Sequence, residues 1–420
     1  MYVSGRVPGV GGVLKVRPED FLVEEIPLIE PAGTGDHIWM FIEKRMLATT
    51  RMVEIIARHF RLRPVDIGVA GLKDKHAMTR QVVSVHLPGK ETGEFLDHPQ
   101  IGVLWVDRHT HKLKRGQLRG NRFSIRIRRV SLAGLPHARD ALHALARAGV
   151  PNRFGHQRFG YMGNNHLIGR AMLLGDHALG CDLLLGPSED PQVAQRDGQH
   201  DARLLYAQGD LRGARAAFHA SLRLELRVLG SLVRGDSPGR ALGTLRKRER
   251  GFYLTAFQSA IFNRVLDQRL GEGSLDRLFE GDITMDAQDR SLDRVEPGSD
   301  RIADLRKRLG AFELSPTGPM WGPGMVRAGG AVDEREVAQL GTLGLSPEQV
   351  QKRSVPLEGE RRPLRVRLGD PQIDGGMDEH GAYIRCAFDL PRGSFATMVM
   401  EEIMKNGRAG EIGMYAKEDA

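Results

Sequence analysis

The segment Val150-Pro-Asn-Arg-Phe-Gly-His-Gln-Arg-Phe-Gly160 divides the chain into two textures. Before it, Phe123, Ile125 and Ile127 alternate with Arg122, Arg126 and Arg128, the period of a half-buried strand with a basic outer face. Val13, Leu14 and Val16, then Phe21, Val23 and Ile26, give a second strand-like run, broken by Pro18. Met52, Val53, Ile56, Ala57 and Phe60 recur at helical spacing, with Thr49 or Thr50 as N-cap. A helix is predicted over 135–147, ending before Gly149 and Pro151. After the segment, residues 167–250 are dominated by Ala, Leu and Arg and read as helical. Residues 252–270 form the strongest amphipathic helix, with Leu254, Phe257, Ile261, Val265 and Leu266 on its apolar face. Residues 316–330 are loop-rich, and 334–340 and 347–352 are helical. Strands return over 364–368 and 383–390, followed by a helix over 395–405. Strand-rich ends around a helical middle predict one α+β domain interrupted by a large insertion, with both ends contributing to one sheet.

With 420 residues, 40% of them hydrophobic, the chain has material for two domains. It contains no apolar run long enough for a transmembrane helix, and Met1-Tyr-Val-Ser-Gly-Arg6 lacks the apolar core of a signal peptide. Cys181 and Cys386 are too few for a disulfide framework or a Cys-rich zinc site. A cytoplasmic protein is expected. The net charge of +8 favours a polyanionic partner. From Arg108 to Arg129 there are nine Lys or Arg residues and no acid, with Gly116 and Gly120 interspersed. That density reads as a phosphate-contacting surface, with Arg115, Arg119 and Arg122 as backbone-binding candidates.

One stretch carries a candidate for chemistry: Val69-Ala-Gly-Leu-Lys-Asp-Lys-His-Ala-Met-Thr-Arg-Gln81. It sets Asp74 between two lysines in a glycine-led turn, with strand-like residues on both sides. A carboxylate among cations stays ionised and can act as nucleophile or base. The same pattern also describes a solvated turn. A phosphate loop, a dinucleotide fingerprint, a His-Glu-x-x-His pair and a nucleophile elbow are all absent. His109, His111 and His156 read as solvated or RNA-facing, not as metal ligands, and no metal is expected. Phe21, Phe159 and Phe395 lie beside Gly or charged residues at element boundaries. Base rates favour the core for each; stacking on a nucleobase is the functional reading.

Several of these segments, in this order, resemble the TruD family of tRNA pseudouridine synthases. They are Pro18-Glu-Asp-Phe-Leu-Val-Glu-Glu25, Gly71-Leu-Lys-Asp-Lys-His-Ala-Met-Thr-Arg-Gln81, Leu118-Arg-Gly-Asn-Arg-Phe123, Val150 to Gly160, and Leu390-Pro-Arg-Gly-Ser-Phe-Ala-Thr397. The run from Ser259 to Arg269, with its Phe262-Asn263 pair, is similar to the family's insertion-domain helix. The resemblance implies a pseudouridine-synthase catalytic domain with a mixed or antiparallel sheet, over 1–150 and 358–420. A largely helical α/β insertion domain over 151–357 interrupts it. It implies isomerisation of uridine to pseudouridine in tRNA, typically at position 13 of the D-arm, without a cofactor. Asp74 falls at the family's nucleophilic aspartate and Lys15 at a nearby basic residue. Phe21, Asn121 and Phe395 match substrate-contacting positions. The 154–159 segment matches a family signature without an assigned chemical role. Residues 175–246 read as longer than in compact bacterial members. A monomer is expected, since no interface signature is visible.

On this reading, Asp74 attacks C1′ or removes the C2′ proton, and Lys15 keeps it ionised. Phe21 or Phe395 stacks on the detached uracil, and Asn121 holds a base or sugar edge. The uridine must be flipped out of folded RNA. One alternative is a non-catalytic RNA-binding or RNA-folding protein on the same scaffold. Another is a carboxylate-based nucleoside or glycoside hydrolase, for which Glu24 or Glu25 would have to supply the acid.

Overall fold

Strand-forming runs from the two ends of the chain meet in one sheet. The computed structural model describes residues 1–89, 96–298, 300–352 and 356–406. It forms two units: Met1–Val150 with Val366–Ala420, and Pro151–Arg365. In the first unit the strands are β1 (Phe21–Pro27), β2 (His37–Arg45), β3 (Gly68–Val69), β4 (Met78–His86), β5 (Ile101–His109), β6 (Leu118–Arg128), β7 (Gly369–Asp378) and β8 (Gly381–Pro391). They form one sheet in the order β7-β8-β6-β1-β4-β2-β5, with β3 on β4. The β1–β4 pair is parallel and the neighbouring pairs are antiparallel, so the sheet is mixed. The fold is the α+β one expected for a pseudouridine synthase with a helical insertion.

Among the described residues three helices pack on this sheet: α1 (Thr49–His59), α2 (Leu135–Ala148) and α3 (Ala396–Met404). The inward residues Phe123, Ile125 and Ile127 of β6 pack with Leu142 and Leu145 of α2 and Val399 and Ile403 of α3. Ile38, Met40 and Ile42 of β2 pack with Met52 and Ile56 of α1. Each buried side chain of this size contributes roughly 1.5–3 kcal/mol relative to exposure.

The strand-like run expected over Val13, Leu14 and Val16 is a single bridge, Val13 to Arg128. Lys15 adopts a left-handed backbone with φ 56°, which ends any extended run. Pro18–Asp20 then makes a 3-10 turn before β1. Thr49 opens α1, but Ala48 holds the N-cap position and makes no side-chain cap. The Thr49 hydroxyl is turned to other use, described below.

In the second unit, helices run in succession from Asn165 to Gly243, as the Ala/Leu/Arg texture predicts. The helix Lys247–Gly271 differs from its expected amphipathic character. Its buried residues include Ala256, Phe257, Gln258, Ser259, Ile261, Phe262 and Asn263, so nearly every side is covered, as in the central helix of a core. A four-stranded sheet accompanies it, ordered Glu360–Pro363, Leu314–Met320, Ile283–Asp286, Leu292–Arg294. The strand Leu314–Met320 carries Pro316 and Pro319, which made the region read as loop. Because Glu360–Pro363 pairs with that strand, residues 358–365 belong to this unit; the expected boundary at 357/358 shifts to Arg365/Val366.

Candidate active site

The antiparallel β3–β4 pair closes the turn that carries Asp74. Gly68 makes that closure possible: a Cβ there would lie 2.2 Å from Ser84 Oγ and 2.5 Å from the Leu113 carbonyl. Gly71, by contrast, leads the turn without steric need, since a Cβ there meets nothing within 4 Å.

Five hydrogen bonds fix the turn. The Lys44 ammonium donates to the carbonyls of Asp74 at 2.8 Å and Leu47 at 2.6 Å. Thr49 Oγ1 accepts from the Lys73 N–H at 2.9 Å and reaches the Lys73 carbonyl at 3.3 Å. Gln81 Nε2 donates to the Gly71 carbonyl at 3.3 Å. Burial pushes the Lys44 pKa down to about 8, against the pull of Asp74 and with the help of Lys73.

The Asp74 side chain is left facing outward, 59% exposed. Its carboxylate accepts from Lys15 Nζ at 2.9 Å. The Lys15 ammonium lies over Phe21, with Nζ 4.3 Å from the ring centroid. Cation–π attraction of that kind holds an ammonium with little loss of hydrogen-bonding capacity. Phe21 is itself 3% exposed and edge-on to Phe123 at 6.4 Å, so its ring is a buried support for Lys15 and has no open face for a base. Phe395 is the opposite case, 46% exposed just before α3.

Lys73 turns inward. Its Nζ pairs with the buried Glu25 at 2.9 Å and donates to Asn121 Oδ1 at 2.6 Å. Burial raises the Glu25 pKa, and Lys73 opposes that shift. A lysine can only donate, so the Asn121 carbonyl is occupied and its amide N–H groups are those turned elsewhere. Glu25 is thus a clamp within the sheet, not an acid open to substrate, and Glu24 is engaged by Arg80 at 2.9 Å. Among the described residues no cluster of three or more His, Cys, Asp or Glu could hold a metal ion.

Of the basic candidates, Arg115 and Arg119 are exposed. Arg122 is engaged by Asp370 at 2.6 Å and Asp389 at 2.9 Å, which removes it from the free cationic surface. Arg128 is buried between Asp20 and Asp378.

The structure therefore joins Lys15, Phe21 and Asp74, links Asn121 to the Asp74 turn through Lys73, and leaves Phe395 exposed. The reading of the sequence missed Lys44, Thr49 and the Glu25–Lys73 pair. A signal existed for two of them: Lys44 continues the inward register Ile38, Met40, Ile42, and Glu25 continues Phe21, Val23.

Comparison with known proteins places the chain in a family. A family model described as tRNA pseudouridine synthase D (TruD) matches residues 1–403. The tRNA pseudouridine synthase D of Geobacter metallireducens is 41% identical over 409 residues, 97% of this chain and 98% of that protein. Its Geobacter sulfurreducens counterpart is 41% identical over 408 residues, covering 96% of each. A Methanosarcina mazei crystal structure carrying the tRNA pseudouridine synthase D name superposes with a TM-score of 0.83 at 26% identity, over 96% of each chain.

Proposed function

The chain belongs to the tRNA pseudouridine synthase D family and isomerises uridine in tRNA; on that premise we propose that Asp74 is its catalytic carboxylate. The observation that carries this reading is an exposed Asp74 side chain with a lysine ammonium at 2.9 Å, on a turn anchored from behind by Lys44 and Thr49.

The target is uridine 13 of the D-arm, flipped out of the RNA stack. Asp74 acts on the sugar by one of two routes. In one, its oxygen bonds to C1′ as the C1′–N1 bond breaks and uracil leaves with the electron pair. In the other, it removes the C2′ proton as the same bond breaks, leaving a glycal. In the first route, C5 of the turned uracil displaces the Asp74 oxygen from C1′, releasing the carboxylate. In the second, C5 bonds to C1′ of the glycal as Asp74 returns its proton to C2′. In both, C5 then loses its proton, N1 takes one up, and the ring is restored. Lys15 holds Asp74 in position through its 2.9 Å contact with the carboxylate. The isomerisation transfers no electrons and needs no cofactor.

Phe395 supplies the stacking face for the turning uracil, because stacking tolerates in-plane rotation. Phe21 contributes through Lys15. Asn121, its carbonyl held by Lys73, presents amide N–H groups to a carbonyl of uracil. These groups all come from the first unit, which we assign as the catalytic domain; the second is the family insertion. The protein acts as a cytoplasmic monomer on tRNA.

Asp74→Asn tests the assignment. It should lower turnover by at least about a thousandfold while tRNA affinity stays within about threefold. Carbodiimide–primer-extension mapping of tRNA incubated with this variant reads the outcome. Wild-type pseudouridine levels would refute the assignment.

A further inference from the structure

The 152–160 segment has no part in the Asp74 constellation, yet the second unit builds around it. Asn263 grips the Phe154 backbone from both sides, accepting from its N–H at 3.0 Å and donating to its carbonyl at 2.9 Å. Phe154 is thereby buried edge-on to Phe262. Two guanidiniums lie against its ring, Arg362 at 4.2 Å and Arg158 at 5.5 Å from the centroid. Arg362 is satisfied by Asn152 Oδ1 at 2.6 Å and the Asn152 carbonyl.

Arg158 is different. Its guanidinium has neither a carboxylate nor a hydrogen-bond acceptor among the described residues, and partial burial lowers its pKa. Three other sheltered arginines of this unit meet carboxylates: Arg203 meets Asp197, Arg269 meets Asp282, and Arg361 meets Glu336. A half-desolvated guanidinium with no anion is unfavourable, and ring contacts offset only part of that. Its surroundings reinforce the positive potential: Arg158 and Arg290 both act on Arg362, with Glu360 the opposing charge. Beside Arg158, at 5.6 Å, is the ring of Phe252, which is 41% exposed. A planar donor fork next to an open aromatic face matches a phosphodiester next to an unstacked base.

We propose that Arg158 and Phe252 form a second RNA-binding site, on the insertion unit, taking one non-helical nucleotide: its phosphate on the Arg158 fork and its base on the Phe252 ring. This rests on the reading of the chain as a tRNA-binding enzyme. It gives the 154–159 segment a role, with Phe154 as the platform that orients Arg158.

The test measures binding of an in vitro transcribed substrate tRNA across a salt series, using R158A, R158K and F252A in the full chain. R158A should weaken binding about tenfold and reduce the slope of log Kd against log salt by roughly 0.7–0.9. R158K should restore the slope but not the full affinity. F252A should weaken binding about tenfold with the slope unchanged. In each case the loss in kcat/KM should fall in KM. Wild-type affinity and slope in R158A, or losses confined to kcat, overturn the site. If R158A fails to fold, wild-type binding by R158K and F252A together overturns it. Repeating the binding series in Asp74→Asn protein separates the two proposals. Turnover by that variant would defeat the catalytic assignment alone, and an unchanged salt slope on adding R158A would defeat this one alone.

Discussion

Lys44 is a lysine at an apolar position, and its consequences can be worked out from one group. Its folded pKa is about 8, below the ordinary 10.5, so between those values the unfolded chain carries a proton that the folded chain does not. Stability from this group therefore rises with pH across that window, and below about pH 8 the burden of the buried ammonium is fully present. The stability difference between wild type and Lys44→Met should grow in favour of wild type by on the order of 2 kcal/mol from pH 8 to 10.5. Chemical denaturation at several pH values reads this; a flat difference would remove the assigned titration. At pH 7 the same variant should turn over roughly ten- to a hundredfold more slowly, because the Asp74 carbonyl loses its anchor. Asp74 itself was legible in the sequence, through its motif. Lys44 was legible only as an oddity of strand register, because its partners are backbone carbonyls 3 and 30 residues away and no motif records them.

At the level of elements, the site depends on three strands lying close enough to bring Glu25, Asn121 and Leu390 into register. Gly120 sets that approach. A Cβ there would lie 2.3 Å from the Leu390 carbonyl oxygen and 3.1 Å from its carbon, both backbone atoms of β8 that cannot swing aside. Gly120→Ala should therefore destabilise the protein by about 2–3 kcal/mol and displace Asn121, lowering turnover more than tenfold. Gly71→Ala is the matched control, with open space around its Cβ, and should stay within about 0.5 kcal/mol and threefold of wild type. Equal behaviour of the two variants would contradict the packing account. Strand β6 and helix α2 were readable from alternation and from Gly149 and Pro151, because each pattern is local. The sheet of the second unit was not, since a strand containing Pro316 and Pro319 violates propensity and is sustained by pairing to residues distant in sequence. The Lys247–Gly271 helix was found, but its centrality was hidden, because polar Gln258, Ser259 and Asn263 are buried by partners that periodicity cannot show.

For the whole molecule, the net charge of +8 overstates how much of the basic stretch is available to RNA. Residues 108–129 contain no acid in sequence, yet folding delivers carboxylates to the stretch from elsewhere. Asp370 and Asp389 meet Arg122, and Asp20 and Asp378 meet Arg128. These pairs are structural, so neutralising them in the mutant should alter folding more than binding. Arg115 and Arg119 remain exposed and carry the electrostatic prediction. Each phosphate neutralised contributes roughly 0.7–0.9 to the salt slope of binding. The double variant Arg115→Ala, Arg119→Ala should therefore weaken tRNA binding and reduce the slope by about 1.5, with the denaturation midpoint unchanged. Arg122→Ala should leave the slope as in wild type and lower stability by about 1 kcal/mol, because Asp370 and Asp389 then face each other without a shared cation. Filter binding across a salt series, paired with urea denaturation, separates these outcomes. A slope that falls for Arg122→Ala and holds for the double variant would reverse the assignment, placing the RNA backbone on the paired Arg122 and not on Arg115 and Arg119.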